Sequence, residues 1–315
     1  MVTITLVDGS QRLLPPAAGI AGSNCGVAGV WRFASAAPGP RVALTALIHG
    51  NEVCGAQALW RVLQDRPAPS RGCLTIVFCN LDAYRSLDDT NKDDRRRMDE
   101  DLNRVWGRID APATPDDTYE MRRAREILPW VQDADVLLDL HSMTDPAPAL
   151  GLVGLATKNV DFARRVGFPA LLIRDAGHAA GLRLIDRAPF GDADTAPVAM
   201  LVECGQHFSA AAFEAADEAV RRTLSVYLEG RATGSAPAQS LIEVTQAVTI
   251  EGDAFEFSQP WGNMAIVPKA GTLVARDGAR EVRAPHDDTW LVMPASVRYR
   301  KQGLTAVRFG RRVAG

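Results

Sequence analysis

Two histidines and a glutamate in this 315-residue chain have the types and placement of a metal site. His49 and Glu52 lie three positions apart in Ala46-Leu47-Ile48-His49-Gly50-Asn51-Glu52, and His141 follows much later in Asp139-Leu140-His141. Neutral imidazole nitrogen and carboxylate oxygen suit zinc, and a set of two His and one Glu leaves the fourth tetrahedral position free for water or substrate. A closed structural site would use four protein ligands. The chemistry of an open zinc site is metal-assisted hydrolysis.

Such a site needs elements that bring its residues together. Val42-Ala43-Leu44-Thr45-Ala46-Leu47-Ile48 reads as a buried strand, and residues 52–64 read as a helix with apolar residues at helical spacing, so His49 and Glu52 fall at a strand-to-helix turn. Val136-Leu137-Leu138-Asp139-Leu140 is a second apolar strand with His141 at its carboxyl end, and Val198-Ala199-Met200-Leu201-Val202 is a third, followed at once by Glu203. Open α/β sheets bind ligands outside the carboxyl ends of their strands, where residues distant in sequence meet.

Further strands are expected near residues 74–79, 150–155 and 170–173, with surface helices over 116–130 and 211–229. The alternation from residue 42 to about 229 indicates an α/β layer fold. Gly230-Arg231-Ala232-Thr233-Gly234-Ser235-Ala236-Pro237-Ala238 has the small-residue composition of a linker. Beyond it, residues 240–315 hold short β-rich runs separated by Gly, Pro and Asp, with no long helix. The expected organisation is a catalytic domain over 1–230 and a smaller C-terminal β domain over 240–315.

Composition narrows the partners. With 47% hydrophobic residues, 23% charged residues and a net charge of -3, the chain is of ordinary globular type and has no electrostatic case for nucleic acid. No apolar run approaches the roughly 18 residues needed to span a bilayer. Five scattered cysteines and a start without the basic-then-apolar pattern of a signal peptide point to free thiols in the cytoplasm. The expected partner is a small molecule, with a homo-oligomer, by default a dimer, as the assembly.

The run Arg95-Arg96-Arg97-Met98-Asp99-Glu100-Asp101-Leu102-Asn103-Arg104-Val105-Trp106 is a solvated charged loop on its face. Beside a metal it has work to do. Amide hydrolysis builds negative charge on the carbonyl oxygen, which a fixed guanidinium stabilises. A second guanidinium with a neighbouring Asn amide can hold a substrate carboxylate.

His49-Gly50-Asn51-Glu52, Asp101-Leu102-Asn103-Arg104, Asp139-Leu140-His141 and Val202-Glu203-Cys204-Gly205, in that order, resemble the succinylglutamate desuccinylase/aspartoacylase family of the zinc-carboxypeptidase superfamily. The resemblance covers most of the first domain. It implies a zinc-carboxypeptidase-like mixed central sheet flanked by helices, one zinc per chain held by His49, Glu52 and His141, and Glu203 as general base. It also implies that Arg96 stabilises the oxyanion, Arg95 and Arg97 being the alternatives in register, and that Asn103 and Arg104 hold the substrate's carboxylate. A further substrate-binding Arg is Arg183 or Arg187, and Tyr299 matches a C-terminal tyrosine that reaches the substrate. Asp139 could orient a ligand, although it points opposite to Leu140, which counts against that role.

The chain departs from the family where Gly-Pro often follows the catalytic Glu: here Cys204-Gly205-Gln206-His207 stands instead, making His207 a candidate pocket residue. Trp106 stands where Phe is usual. Cys54 and Cys204 read as buried packing. The expected activity is a zinc-dependent amidohydrolase that removes the acyl group of an N-acyl amino acid or similar small carboxylate. The alternatives are a zinc carboxypeptidase acting on small peptides and a non-catalytic metal- or metabolite-binding protein. A β domain that narrows the site argues against polypeptide substrates.

Overall fold

Strands whose apolar residues run on without alternation are buried on both faces, the signature of parallel strands covered by helices. The computed structural model, which describes residues 2–178, 180–231 and 238–313, is built around such strands. A short hairpin of β1 (Thr3–Thr5) and β2 (Gln11–Leu13) opens the chain, followed by helix α1 (Ala17–Ile20) and β3 (Val30–Ala34). The first half of the site follows, with β4 (Arg41–Ala46), α2 (Val53–Gln64), β5 (Cys73–Phe78) and α3 (Leu81–Arg85). Next come α4 (Tyr119–Val131), β6 (Val136–Met143), β7 (Leu150–Leu152), α5 (Thr157–Val166), β8 (Leu171–Arg174), β9 (Val198–Gln206) and α6 (Ala210–Leu224). The C-terminal region adds β10 (Ser240–Thr249), β11 (Phe255–Phe257), β12 (Ala265–Val267), β13 (Leu273–Asp277), β14 (Arg280–Arg283), β15 (Thr289–Val292) and β16 (Thr305–Val313).

Among the described residues, eleven strands form one mixed sheet in the order β12-β15-β16-β10-β8-β7-β9-β6-β4-β5-β3. Its middle, β5-β4-β6-β9, is parallel, and β7 runs antiparallel to β9. The expected mixed α/β sheet flanked by helices is therefore what the chain forms. One apolar core lies between the sheet and α2, α5 and α6, and a second lies on the opposite face under α4. No helix among the described residues is long and apolar enough to cross a membrane.

The β-rich C-terminal region is also as expected, and it has a third core of its own around Val248, Val274, Val307 and Phe309. It is tied to the rest of the fold, because β10 pairs in parallel with β8 from Ser240↔Leu171 to Glu243↔Arg174. The expected linker lies largely outside the described residues, at 232–237. After residue 240 the only helical turn among the described residues is a 3-10 turn, Val297–Tyr299.

Element ends differ from the sequence reading in a way that matters for the site. His141 is inside β6 and Glu203 is inside β9, because the two strands keep pairing past their apolar stretches, with His141 opposite Glu203. Glu52 is the residue before α2 rather than its first.

Candidate metal centre and substrate pocket

The turn after β4 is shaped before any ligand is considered. Leu47 has φ 59°, bending the chain out of the strand, and Gly50 is pressed against the neighbouring loop. A Cβ on Gly50 would lie 2.5 Å from Ala83 Cβ and 2.6 Å from the Arg95 carbonyl oxygen. The Gly50 N–H donates to the Arg96 carbonyl at 2.9 Å, so the same glycine that frees the turn fastens the arginine loop beside it.

His49, Glu52 and His141 are all buried and bring their ligand atoms within 4.8 Å of one another. His49 Nδ1 is 2.7 Å from Glu52 Oε1, and His141 Nδ1 is 2.8 Å from Glu52 Oε2. Each ring's other nitrogen meets a carboxylate: His49 Nε2 lies 2.9 Å from Asp101 Oδ1, and His141 Nε2 lies 2.9 Å from Asp139 Oδ2. Metal-bound histidines are held in this way, with one nitrogen on the metal and the other on an orienting acceptor. Asp139 is in turn fixed by the Thr45 hydroxyl at 2.6 Å.

The contact between Glu52 Oε2 and His141 Nδ1 is close, yet Oε2 has no aligned hydrogen-bond partner although it is sealed from solvent. A buried carboxylate oxygen without a donor is costly, whereas two lone-pair atoms aimed at a common third centre is the arrangement of metal ligands. The donor set and the orphaned oxygen both fit a divalent cation. The contact that an orienting role for Asp139 requires, disfavoured in the sequence, is present here: residues two apart on a strand share a face, so Asp139 and His141 point the same way.

Glu203 stands beside this cluster with 7% exposure, and its Oε2 has no partner. Burial, together with the nearby Glu52 and Asp139 carboxylates, pushes its pKa up to about 8 against the opposing pull of His141 and Arg96. Arg96 is the arginine of the triplet that enters the site, while Arg95 and Arg97 are exposed. Its Nη2 donates to Asp101 Oδ2 at 3.0 Å and lies 2.7 Å from His49 Nε2, and its Nη1 reaches Glu52 Oε1 at 3.4 Å. Asp101 is half-buried; against the upward push of desolvation, His49, Arg96 and Arg104 hold its carboxyl well below the usual range. The Tyr299 phenol is near enough to act on the charge of Arg96.

Asn103 and Arg104 sit side by side on the 3-10 turn Leu102–Arg104. The Asn103 side-chain amide oxygen, Oδ1, accepts the Leu184 N–H at 3.0 Å, which docks the 183–187 segment against the pocket. Arg104 donates to the Asn103 backbone carbonyl at 2.7 Å, and its closest carboxylate, Asp101, is 4.0 Å away. Burial and the neighbouring Arg96, Arg183 and Arg308 lower its pKa, countered by Asp101. Gly181 makes this packing possible, since a Cβ there would lie 2.4 Å from the Arg104 carbonyl oxygen.

Both expected arginines of the 183–187 segment are engaged within the protein. Arg183, 1% exposed, pairs with Asp175 at 2.8 Å and with Asp186 at 2.5 Å. Arg187 is bound to Asp110 at 2.7 Å and to the Trp106 carbonyl at 3.0 Å.

Arg308, absent from the sequence reading, is the poorly paired one. It is 4% exposed, its nearest carboxylate is Asp175 at 3.5 Å, already shared with Arg183, and its Nη2 rests 2.9 Å from His178 Nδ1. The signal was available, as an arginine amid the apolar run Ala306, Val307, Phe309 of a strand is out of place unless it has a charged duty. His207, also buried, lies with Nδ1 2.7 Å from Ser142 Oγ.

The catalytic-domain model of the succinylglutamate desuccinylase/aspartoacylase family matches residues 38–226. Among curated proteins, an N-acyl-aromatic-L-amino acid amidohydrolase (carboxylate-forming) of Rattus norvegicus is 35% identical over 114 residues, 33% of this chain and 34% of that protein. Its counterpart in Mus musculus is 33% identical over 132 residues, 39% of this chain and 38% of that one. The chain thus spans about a third of the length of the curated relatives it matches.

Among solved structures, a succinylglutamate desuccinylase of Vibrio cholerae superposes with a TM-score of 0.68 at 15% identity, covering 99% of this chain and 91% of that one. Murine aminoacylase 3 superposes with a TM-score of 0.64 at 21% identity, covering 89% and 97%. At these identities the structures share the fold. With more than half its length matched by the catalytic-domain model, this chain belongs to the succinylglutamate desuccinylase/aspartoacylase family.

Proposed function

We propose that this protein is a zinc-dependent amidohydrolase that cleaves the amide bond of an N-acyl amino acid. The observation that carries the proposal is the pairing of an open His49-Glu52-His141 ligand set with a second, unpartnered buried carboxylate, Glu203, on the adjoining strand. A structural metal site has no use for that extra carboxylate. Zinc at this site would be held by three protein ligands, with its open position polarising the acyl carbonyl and acidifying a water.

The chain's own residues supply the rest. Glu203 takes the proton of the attacking water and delivers it to the departing amine nitrogen. Its position suits it to this exchange, because a buried carboxylate with an unpartnered oxygen beside the ligand set can take a proton and hand it on. Arg96, pinned by Asp101, faces the carbonyl oxygen and stabilises the charge that gathers there. Asp101 and Asp139 keep the two imidazoles in one tautomer and orientation.

The substrate carboxylate belongs with Arg104 and Asn103, whose side-chain amide N–H groups are left over once its oxygen has accepted Leu184. Arg308 completes this anion grip. A guanidinium so deeply buried with only a shared, distant carboxylate gains most from a ligand anion. Arg183, its fork filled by Asp175 and Asp186, contributes charge from behind rather than a free N–H. Tyr299 closes the pocket beside Arg96, and Arg298 ties that C-terminal turn to the arginine loop through the Asp93 carbonyl at 3.1 Å and Asp94 at 3.2 Å.

These last contacts favour residues 240–315 as a distinct β domain that restricts a catalytic domain over 1–230 to small substrates, rather than peptide chains. Five free thiols support a reducing, cytoplasmic setting. The curated relatives are named for N-acyl aromatic amino acids. A panel of N-acetyl amino acids with aromatic, aliphatic and acidic side chains, offered to the zinc-loaded protein, tests the reading. Release of free amine from at least one class is expected, and silence across the panel would overturn it.

A further inference from the structure

His207 is left unused by the chemistry above, and its surroundings are those of a working group. The ring is 5% exposed. Its Nδ1 is 2.7 Å from the hydroxyl of Ser142, the strand residue immediately after His141. Ser142 is 4% exposed, and His207 is the only hydrogen-bond partner of its hydroxyl among the described residues. A buried O–H with one available acceptor donates to it, because leaving the proton unpaired carries a desolvation cost. Nδ1 is then the acceptor, and in a neutral imidazole the hydrogen must sit on Nε2.

That Nε2–H has no partner among the described residues, yet it is not among the polar atoms sealed from solvent, so it opens onto space. The ring is held beside the metal centre, because Ser142 and Met143, which bond its Nδ1 and its backbone N–H, directly follow His141 on β6. Glu52, Arg96, His49 and His141 all act on the charge of the ring, and burial, with the three cationic or imidazole neighbours, pushes its pKa down to about 4. The ring is neutral across the neutral pH range and offers a hydrogen without carrying a charge.

The backbone is bent at this point. Pairing between β6 and β9 slips after His141, so that Met143 lies opposite Gln206, and Gly205 within the slip has φ 121°. Such bulges bend a strand and redirect its side chains beside active sites. The His207 N–H then donates to the Met143 carbonyl at 2.6 Å, and Phe208, at φ 59°, turns the chain away. A non-glycine residue held at positive φ is kept only where surrounding structure enforces it.

We propose that His207 donates its Nε2–H to the acyl carbonyl oxygen of the bound substrate, a second donor beside Arg96, with Ser142 as the positioning residue that selects the tautomer. The proposal rests on the deacylase reading. It involves hydrogen bonds alone, so no proton or electron changes owner at His207. It also gives the departure from the family's Gly-Pro a purpose, since Gln206 and His207 occupy that stretch in this chain.

The tautomer is read by 15N NMR of His207 in the zinc-loaded protein, which needs no turnover. A hydrogen on Nε2 is expected, and one on Nδ1 overturns the donor role. On the best N-acyl amino acid found, His207→Ala at unchanged zinc content is expected to lower kcat about 100- to 1,000-fold with KM changed less than about threefold. His207→Gln, which can place an N–H near the same point, recovers at least about tenfold of that loss. Ser142→Ala lowers kcat less and weakens the tautomer preference, while Ser142→Thr restores both. A kcat for His207→Ala within about threefold of the parent overturns the proposal. Should the parent hydrolyse no N-acyl amino acid, the deacylase reading falls by itself. Sodium acetate then probes the donor: a shift of the Nε2–H signal on titration upholds it, and no shift overturns it.

Discussion

His141 and Glu203 are directly opposed residues of the adjacent parallel strands β6 and β9. Neighbouring strands are about 4.8 Å apart, and opposed residues project to the same face, so the sheet itself sets a candidate metal ligand beside the carboxylate proposed to carry the proton. The two differ in what surrounds them. His141 has a carboxylate on each nitrogen, whereas Glu203 has an oxygen with no partner. This asymmetry separates their roles: removing His141 or His49 is expected to abolish tight zinc binding, while Glu203→Gln retains about one zinc per chain and loses turnover by roughly four orders of magnitude. Zinc content by atomic absorption beside kcat decides it, and an active Glu203→Gln enzyme would contradict the assignment.

Asp101 and Asp139 each hold the outer nitrogen of a ligand histidine at 2.9 Å. Asp139→Asn keeps the shape of that contact but no longer favours the same imidazole tautomer. Zinc affinity is expected to fall about 10- to 100-fold. Asp101→Asn adds a second defect, since Arg96 loses the closer of its two ion-pair partners, so its kcat falls further than its metal affinity explains. Competition with a fluorescent chelator measures the first effect. Equal zinc affinity in parent and Asp139→Asn would remove the orienting role.

That His49, Glu52, His141 and Glu203 follow long apolar runs was legible in the sequence, because parallel strands buried on both faces leave such runs, although β6 and β9 continue past His141 and Glu203. The family motifs added the order of the parts. What was not legible came from packing across the chain. Arg183 and Arg187 look equally available on paper, and only the contacts with Asp175, Asp186 and Asp110 show where their charges go. Arg308 lies far from every motif and reaches the pocket because β16 pairs with β10, which pairs with β8. The bulge that redirects His207 is invisible to an alternating pattern, since it depends on how many residues of β9 face each stretch of β6.

Arg308 yields a prediction that separates grip from chemistry. If it shares the substrate carboxylate with Arg104, Arg308→Met raises KM about 10- to 100-fold with a smaller change in kcat, and loses discrimination against substrates whose carboxylate is amidated. Arg187→Met, which breaks only the contacts to Asp110 and the Trp106 carbonyl, leaves KM within about threefold. Steady-state kinetics on the two variants measures this, and a larger KM change in Arg187→Met would invert the assignment.

Glu120, buried on α4, accepts the backbone N–H groups of Met98, Asp99 and Glu100 and the side-chain amide of Asn80. It is the anchor of the loop that carries Arg96 and Asp101. Glu120→Ala strands those donors and is expected to destabilise the fold by about 3–5 kcal/mol, with kcat falling even where the protein remains folded. Urea denaturation at 25 °C reads the first effect. A loss below about 1 kcal/mol would show that the loop is held by other means.

His207 also makes stability depend on pH. Burial holds its folded pKa at about 4, below its ordinary value of 6.5. Between these values the unfolded chain binds a proton that the folded chain does not, so His207 favours unfolding as pH falls from 6.5 through 4 and has no effect above 6.5. Relative to His207→Asn, the parent is expected to lose on the order of 3 kcal/mol across that interval. Denaturation of the two proteins at matched pH measures the difference, and parallel curves would show that the folded ring accepts its proton freely.

On this mechanism the His49-Glu52-His141 cluster holds a catalytic zinc. It is tested by measuring hydrolysis of the N-acyl amino acid panel alongside metal content as isolated, after chelation and after zinc is restored. About one zinc per chain, with activity that vanishes on chelation and returns with zinc, is the predicted result. Hydrolysis that persists at full rate in metal-free protein, or no measurable zinc affinity at all, would contradict it.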